Sequence, residues 1–186
     1  MTPFNIGIGI LAVVLFIFVA IYNGLVKARM RVREAWADID VQLKRRFDLI
    51  PNLVNTVKGS TNFETTTLEK LTQARTRGME AKTTTEAAEA DMAMRGAISG
   101  FFAVAESYPD LKSNMNFMAL QNELSDTENK IQSARRFYNS NVMEYNTNIA
   151  TFPTMIFAKL FAFKASDFFE LDASEQAAKN PVEVKF

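Results

Sequence analysis

The sequence FNIGIGILAVVLFIFVAI occupies residues 4–21, and Asn5 is its only strongly polar side chain. No Asp, Glu, Lys or Arg occurs between Met1 and Val26. As a helix rising ~1.5 Å per residue, residues 4–21 would cover roughly 27 Å, close to the ~30 Å hydrocarbon core of a bilayer. We therefore predict a transmembrane anchor over residues 1–26. Its membrane-spanning side chains include Phe4, Ile10, Leu15, Phe18 and Ile21.

A basic flank follows the anchor directly. Tyr22 stands where an interfacial aromatic residue is expected, and no acidic residue lies among the cations that come next, which are Lys27, Arg29, Arg31 and Arg33. The positive-inside rule then predicts an outside N-terminus and a cytoplasmic remainder. A cleaved signal peptide is the alternative, but it needs a charged N-terminal region and a shorter apolar run. Met1-Thr2-Pro3 carries no side-chain charge.

The composition narrows the chemistry open to the chain. It has 186 residues, 21 Lys and Arg against 21 Asp and Glu, and neither histidine nor cysteine. Thiol nucleophiles, imidazole bases and the commonest transition-metal ligands are therefore excluded. The balanced charge argues against a nucleic-acid partner. No cofactor or metal is predicted.

Beyond the flank, apolar residues recur in steps of three and four, from Val32 to Val57. This spacing is typical of one face of a bundle or coiled-coil helix, and no Gly or Pro separates it from the anchor except Gly24. We predict that the transmembrane helix continues into this helix. Pro51 is expected to kink it, because a proline removes one backbone hydrogen bond. Residues 59–62, Gly-Ser-Thr-Asn, predict a break.

Three further segments complete the predicted domain. Helices are expected over residues 63–78, 86–106 and 117–149, with a turn within the Ala-, Glu- and Thr-rich residues 79–90. Pro153 should end or kink the last helix. The fold class is therefore all-α, with residues 27–151 forming an antiparallel bundle of three to four long helices.

Residues 152–171 are rich in phenylalanine and form a separate amphipathic segment. Either the segment caps the bundle, or it lies in the membrane interface with rings at the acyl boundary and lysines at the headgroups. The candidate interfacial residues are Phe157, Lys159, Phe161, Phe163 and Lys164. Residues 172–186 are expected to form a loosely held tail.

Polar residues recur at positions expected to be near the bundle core. They are Arg45, Arg46, Asp48, Asn52, Glu128, Asn129 and Arg135. One interpretation is a hydrogen-bonded network that sets the register of the helices. The other is a groove for a partner or a lipid headgroup. Carboxylate-based hydrolysis is a further hypothesis, with Asp48, Glu106 and Glu128 as candidates, although nothing selects one pair.

Several motifs resemble the LemA family of bacterial membrane proteins over residues 22 to about 170. They are Tyr22-Asn23-x-Leu25-Val26, Val32-Arg33-Glu34-Ala35-Trp36, Arg45-Arg46-x-Asp48-Leu49-Ile50-Pro51-Asn52-Leu53-Val54, Ala105-Glu106-x-Tyr108-Pro109-Asp110, Glu128-Asn129-x-Ile131 and Ala134-Arg135-Arg136-x-Tyr138-Asn139. One departure is Phe63-Glu64, where the family usually carries a histidine. The resemblance implies one N-terminal helix in the inner membrane of a bacterium, followed by a long-helix domain on the cytoplasmic side. It implies no established enzymatic activity. A relative that acts in magnetosome membrane formation implies work on membrane organisation.

Two functions follow as expectations. The first is a non-enzymatic scaffold that self-associates as a homo-oligomer and organises or shapes the lipid bilayer. The second is a membrane-tethered adaptor that binds a cytoplasmic or membrane protein. The sequence leaves open the oligomer size, the partner and the physiological process.

Overall fold

The computed structural model of the chain describes residues 3–58 and 63–169. Within these ranges every regular element is a helix. They are α1 (Pro3–Lys58), α2 (Thr65–Glu80), α3 (Thr84–Ala105), α4 (Pro109–Lys112), α5 (Met115–Ala150) and α6 (Thr154–Leu160). The predicted break at 59–62 and the predicted tail at 172–186 lie outside the described residues.

Helix α1 runs for 56 residues and includes both the apolar segment and the basic flank. It continues through Pro51, which has no N–H to offer the carbonyl group of Phe47 one turn earlier. Arg75 on α2 supplies a replacement donor, because its Nε lies 2.9 Å from that carbonyl oxygen. Here a tertiary hydrogen bond takes the place of the missing helical one.

The connection between α2 and α3 is shorter than the sequence pattern predicted. The turn lies within residues 79–90 as predicted, but it is confined to residues 81–83, since α2 continues to Glu80 and α3 begins at Thr84. A capping box fixes the start of α3: the Thr83 hydroxyl accepts from the backbone N–H of Glu86, and the Glu86 carboxylate accepts from the N–H of Thr83. The Glu86 carboxylate also accepts from the N–H of Lys82 at 2.7 Å.

Helix α5 has clear physical reasons for both of its ends. The Asn114 side chain accepts hydrogen bonds from the backbone N–H groups of Asn116 and Phe117, which the first turn of a helix leaves without partners. The helix ends at Ala150, shortly before Pro153, as the sequence predicted. The residue before a proline is disfavoured in the helical region, so Phe152 cannot easily continue it.

The chain divides into two compact units, and α1 and α5 contribute to both. Among the described residues, one unit comprises 3–37 with 136–167, and the other comprises 38–58, 63–135 and 168–169. In the first unit Leu25, Val32 and Ala35 of α1 are buried, as are Tyr138, Val142 and Tyr145 of α5. In the second unit the buried side chains include Ile39, Leu43, Leu71, Met94, Phe101, Leu124 and Ile131. Helices α2 and α3 pack against each other.

Candidate functional site

The N-terminal part of α1 presents its apolar side chains outward. Phe4, Ile10 and Leu15 are exposed, while Phe18 and Ile21 are half-buried. Among the described residues, α1 is the one helix long and apolar enough to cross a membrane, and no residue of its apolar stretch is fully buried. A core helix of a soluble protein would bury such a surface. An apolar helix left open in this way is suited to lipid.

The Phe-rich segment lies against α1 where the apolar stretch ends. The ring of Phe18 meets those of Phe157 and Phe161 edge-on, at centroid distances of 5.1 and 5.8 Å. The Tyr22 ring contacts Phe161 at 4.8 Å and Phe163 at 6.1 Å. Edge-to-face pairs of this kind are favourable beyond their buried area. They hold the segment beside the end of the predicted span.

A second apolar face of the segment is largely exposed among the residues that the structure describes. Ile156 and Leu160 are four residues apart on α6, so they share one face, and they are 55% and 67% exposed. Phe152 before the helix is 78% exposed, and Phe161 after it remains 42% exposed although its ring contacts Tyr22. We call Phe152, Ile156, Leu160 and Phe161 the open apolar row.

Backbone geometry turns the chain back after α6. Ala162 has a positive φ of 52°, and the N–H of Phe163 donates to the Ala158 carbonyl while that of Ala162 donates to the Lys159 carbonyl. This is the Schellman arrangement, in which a left-handed residue ends a helix.

Side chains of α5 then hold the segment that returns. The Tyr145 hydroxyl donates to the Lys164 carbonyl and the Tyr138 hydroxyl to the Asp167 carbonyl, both at 2.8 Å. Asn146 exchanges two hydrogen bonds with the backbone of Ser166. Burial raises the pKa of the Tyr145 phenol, although Arg29 partly opposes this, so the hydroxyl remains a neutral donor.

The predicted basic flank is exposed along α1. Arg29 stands over the Phe163 ring at 5.0 Å, and Arg31 lies 3.4 Å from the carboxylate of Glu144. Lys27 and Arg33 are exposed, as are Lys159 and Lys164 in the Phe-rich segment. Exposed cations therefore follow the apolar stretch along α1 and are also present in the Phe-rich segment.

A buried charge cluster lies in the second unit, and it includes three of the predicted polar residues. Arg46 of α1 is 0% exposed; it pairs with the 1% exposed Asp91 of α3 and, at 2.8 Å, with Glu128 of α5. Arg95 lies 3.4 Å from Asp91, and Arg135 lies 3.7 Å from it. We call these five residues the Arg46 cluster.

The other predicted polar residues are not part of the Arg46 cluster. Arg45 is exposed and donates to Glu123 at 2.8 Å, a contact that raises the pKa of its guanidinium. Asp48, Asn52 and Asn129 are also exposed. Sequence reasoning missed Asp91 and Arg95, since their spacing of four on a helix is common among surface ion pairs as well.

The three carboxylates considered for hydrolysis do not form a common centre in the structure. Glu128 is engaged by Arg46, while Asp48 and Glu106 are exposed. Among residues 3–58 and 63–169, no three acidic side chains are grouped so that they could hold a metal ion.

An exposed apolar helix with a basic end and a helical remainder define a membrane-anchored helical protein. Comparison with known proteins gives the family. The chain belongs to the LemA family, whose model matches residues 35–186. Protein LemA of Metamycoplasma hominis is 27% identical over 175 residues, covering 89% of this chain and 78% of the relative. Two magnetosome proteins of Paramagnetospirillum magneticum, MamQ 1 and MamQ 2, are each 25% identical over 191 residues, covering 88% of this chain and 70% of theirs.

Proposed function

We propose that this protein is a non-enzymatic membrane scaffold that self-associates and organises or bends the bilayer of the bacterial inner membrane. The observation that carries the proposal is the open apolar row, which stands beside the end of the apolar stretch of α1. The magnetosome names of two relatives agree with work on a membrane compartment.

The open apolar row supports contact with one leaflet. A short apolar face next to a transmembrane helix can enter the boundary between headgroups and acyl chains. Removing a large apolar side chain from water contributes about 1.5–3 kcal/mol, so several such residues hold a tethered segment firmly on the surface. Lys159 and Lys164 are exposed and can reach the headgroups. Volume added to one leaflet alone favours curvature.

The charge pattern supports an orientation. Lys27, Arg29, Arg31 and Arg33 follow the apolar stretch, and cytoplasmic flanks are enriched in such cations. We therefore propose an outside N-terminus, with the helical bundle and α6 on the cytoplasmic side. A protein with one anchor can shape a membrane only when many copies act together, so self-association is part of the proposal.

Reconstitution of the full chain in liposomes tests the proposal. Electron microscopy should show altered vesicle shape, and chemical crosslinking should show oligomers. Ile156→Glu with Leu160→Glu should abolish the shape change, because charges on the row oppose insertion. Met115→Glu with Met118→Glu is the matched control, since both methionines are exposed on α5 outside the row. A monomer at every density that leaves vesicle shape unaltered would overturn the proposal.

The depth of the row can be measured directly. Leu160→Trp in a Trp36→Phe background gives a single tryptophan whose emission can be excited selectively, because the chain has one native tryptophan. Lipids brominated near the headgroup should quench it strongly. Quenching equal to that of an aqueous site would contradict insertion of α6.

The second candidate function is a membrane-tethered adaptor. A groove of about 540 Å³ is lined by α2 and α3, and its wall includes Ala93, Gly96 and Gly100. Small residues let another helix approach closely, so a helical protein segment would fit. Photocrosslinking in cells from the position of Gly100 should then yield a heterologous band. Crosslinks to a second copy alone would favour the scaffold.

A further inference from the structure

A groove in the first unit lies where the apolar stretch of α1 meets its basic flank. Its volume is about 330 Å³, and its walls come from α1, α5 and the start of α6. Ile21 and Gly24 line one part, and Lys27 and Arg31 line another. Asn148 of α5 completes the polar part. The groove is therefore apolar on one side and cationic on the other.

The charges at the groove leave room for an anion. Lys27 and Arg31 are four residues apart on α1, so they share a helix face. Glu144 also lines the groove and lies 3.4 Å from Arg31, but both side chains are more than half exposed, and such pairs bind weakly. Two cations against one carboxylate give the groove a net positive charge. Asn148 adds an amide that can donate a hydrogen bond.

The level of the groove along α1 selects the source of the anion. Lys27 is the first ionisable side chain after the run that ends at Val26, so it marks the headgroup level of a bilayer spanned by α1. A soluble phosphate has no apolar part, so it would make no favourable contact with the groove wall formed by Ile21 and Gly24. A lipid would place its phosphate at the cations and its acyl chains along the exposed face of the span.

We propose that this groove binds the headgroup of an anionic glycerophospholipid. The phosphate contacts Lys27, Arg31 and Asn148, and the glycerol and upper acyl chains lie over Gly24 and Ile21. The inference rests on the proposed function in one respect only, namely that α1 spans a bilayer. Each copy of the protein would then carry a defined lipid, and its headgroup preference would follow from the charge of the groove.

Gly24 provides a test that changes no charge. A Cβ built at Gly24 meets nothing within 4 Å among the described residues, so a side chain can start there, and Gly24→Leu adds apolar volume at the groove wall. Gly9→Leu is the matched control, because its Cβ also meets nothing and Gly9 does not line the groove. The full chain would be purified from nanodiscs of phosphatidylcholine with phosphatidylglycerol, and retained lipid measured by native mass spectrometry.

The expected result is selective loss of phosphatidylglycerol. Gly24→Leu should lose it, while Gly9→Leu should retain it as the unsubstituted chain does. Lys27→Gln should weaken retention by about fivefold, the change expected for one cation at a lipid surface, and Lys27→Arg should restore it. Equal retention by Gly24→Leu and the unsubstituted chain would overturn the groove as a binding site.

Two further measurements separate the possible failures. Glycerol phosphate added to protein in a non-ionic detergent should not reduce labelling of the groove by a photoreactive probe at position 24. Reduced labelling would show that the groove binds soluble phosphates, and it would overturn the proposal of a lipid ligand. Vesicle shape and quenching of the Leu160→Trp reporter should persist in Gly24→Leu. If the unsubstituted chain shows no preference for phosphatidylglycerol but still alters vesicle shape, the lipid groove is wrong and the scaffold function stands. If α1 does not insert in the bilayer, both the groove and the scaffold function are contradicted.

Discussion

The Nε of Arg75 donates a hydrogen bond of 2.9 Å to the carbonyl oxygen of Phe47. Pro51, four residues after Phe47, cannot donate to that oxygen as any other residue would in a helix. A side chain of α2 therefore satisfies a backbone group of α1, and it does so where the longest helix of the protein contains a proline. This contact fixes α2 against α1.

A double-mutant cycle should show that Arg75 and Pro51 are coupled. Arg75→Met removes a hydrogen bond from a charged donor to a part-buried carbonyl, and we expect a loss of about 1.5–3 kcal/mol in the free energy of unfolding. In a Pro51→Ala background the helix supplies its own donor, so the same substitution should cost clearly less. Denaturant melts of the four proteins measure this. Equal costs in both backgrounds would show that Arg75 acts through packing alone.

Breaking the buried ion pair of Arg46 and Asp91 should be far more costly than breaking an exposed one. Asp91→Ala leaves a fully buried guanidinium without its main partner, and about 3–5 kcal/mol of stability should be lost. Arg46→Met with Asp91→Leu should recover part of that loss. The control is Glu123→Gln, which removes the exposed partner of Arg45 and should leave the unfolding midpoint nearly unchanged.

Gly78 and Gly96 should respond in opposite directions to alanine. Alanine in place of a helical glycine normally stabilises by about 0.5–1 kcal/mol, and Gly96→Ala should do so because its Cβ meets nothing within 4 Å among the described residues. A Cβ at Gly78 would clash with the buried Phe47 ring. Gly78→Ala should therefore cost about 1–3 kcal/mol, as overpacking does. Thermal melts that show stabilisation by both substitutions would contradict the contact of Gly78 with Phe47.

The start of α3 should carry an acid-dependent contribution to stability. Backbone N–H groups of Lys82 and Thr83 hold the pKa of the Glu86 carboxyl below its ordinary value. Its contribution is therefore present above the unfolded-state pKa and is lost as pH falls through the lower folded-state value. Glu86→Gln should reduce the slope of stability against pH in the acidic range. Nuclear magnetic resonance titration of the Glu86 carboxyl gives its pKa directly.

The other hydrogen bond of the same capping box, which the Thr83 hydroxyl accepts, can be tested at neutral pH. Thr83→Ala should cost about 1 kcal/mol, the usual effect of losing a helix cap, and Thr83→Ser should cost less because the oxygen remains. Amide hydrogen exchange should quicken first in the opening turn of α3. Uniform quickening over the whole second unit would instead indicate a global effect.

The sequence allowed some elements to be predicted because their signals are local. The run without charges predicted the anchor, and the three-and-four spacing predicted helix α5, which ends before Pro153 as expected. The family resemblance was also readable from motifs and is confirmed. The turn between α2 and α3 was predicted in the right place but too long, because Thr83 followed by Glu86 is a capping-box pattern that the weakly apolar composition obscured.

Tertiary structure alone decided which distant residues meet. No spacing in the chain indicates that Arg46 pairs with Asp91, or that Arg75 replaces the donor missing at Pro51, because side-chain pairing between helices depends on how their faces are rotated. The same holds for Phe18 and Tyr22, which leave one face of the Phe-rich segment covered and the other open. Hydrophobic periodicity in the sequence identifies which face of a helix is apolar. Which residues cover that face depends on how the helices pack in the tertiary structure.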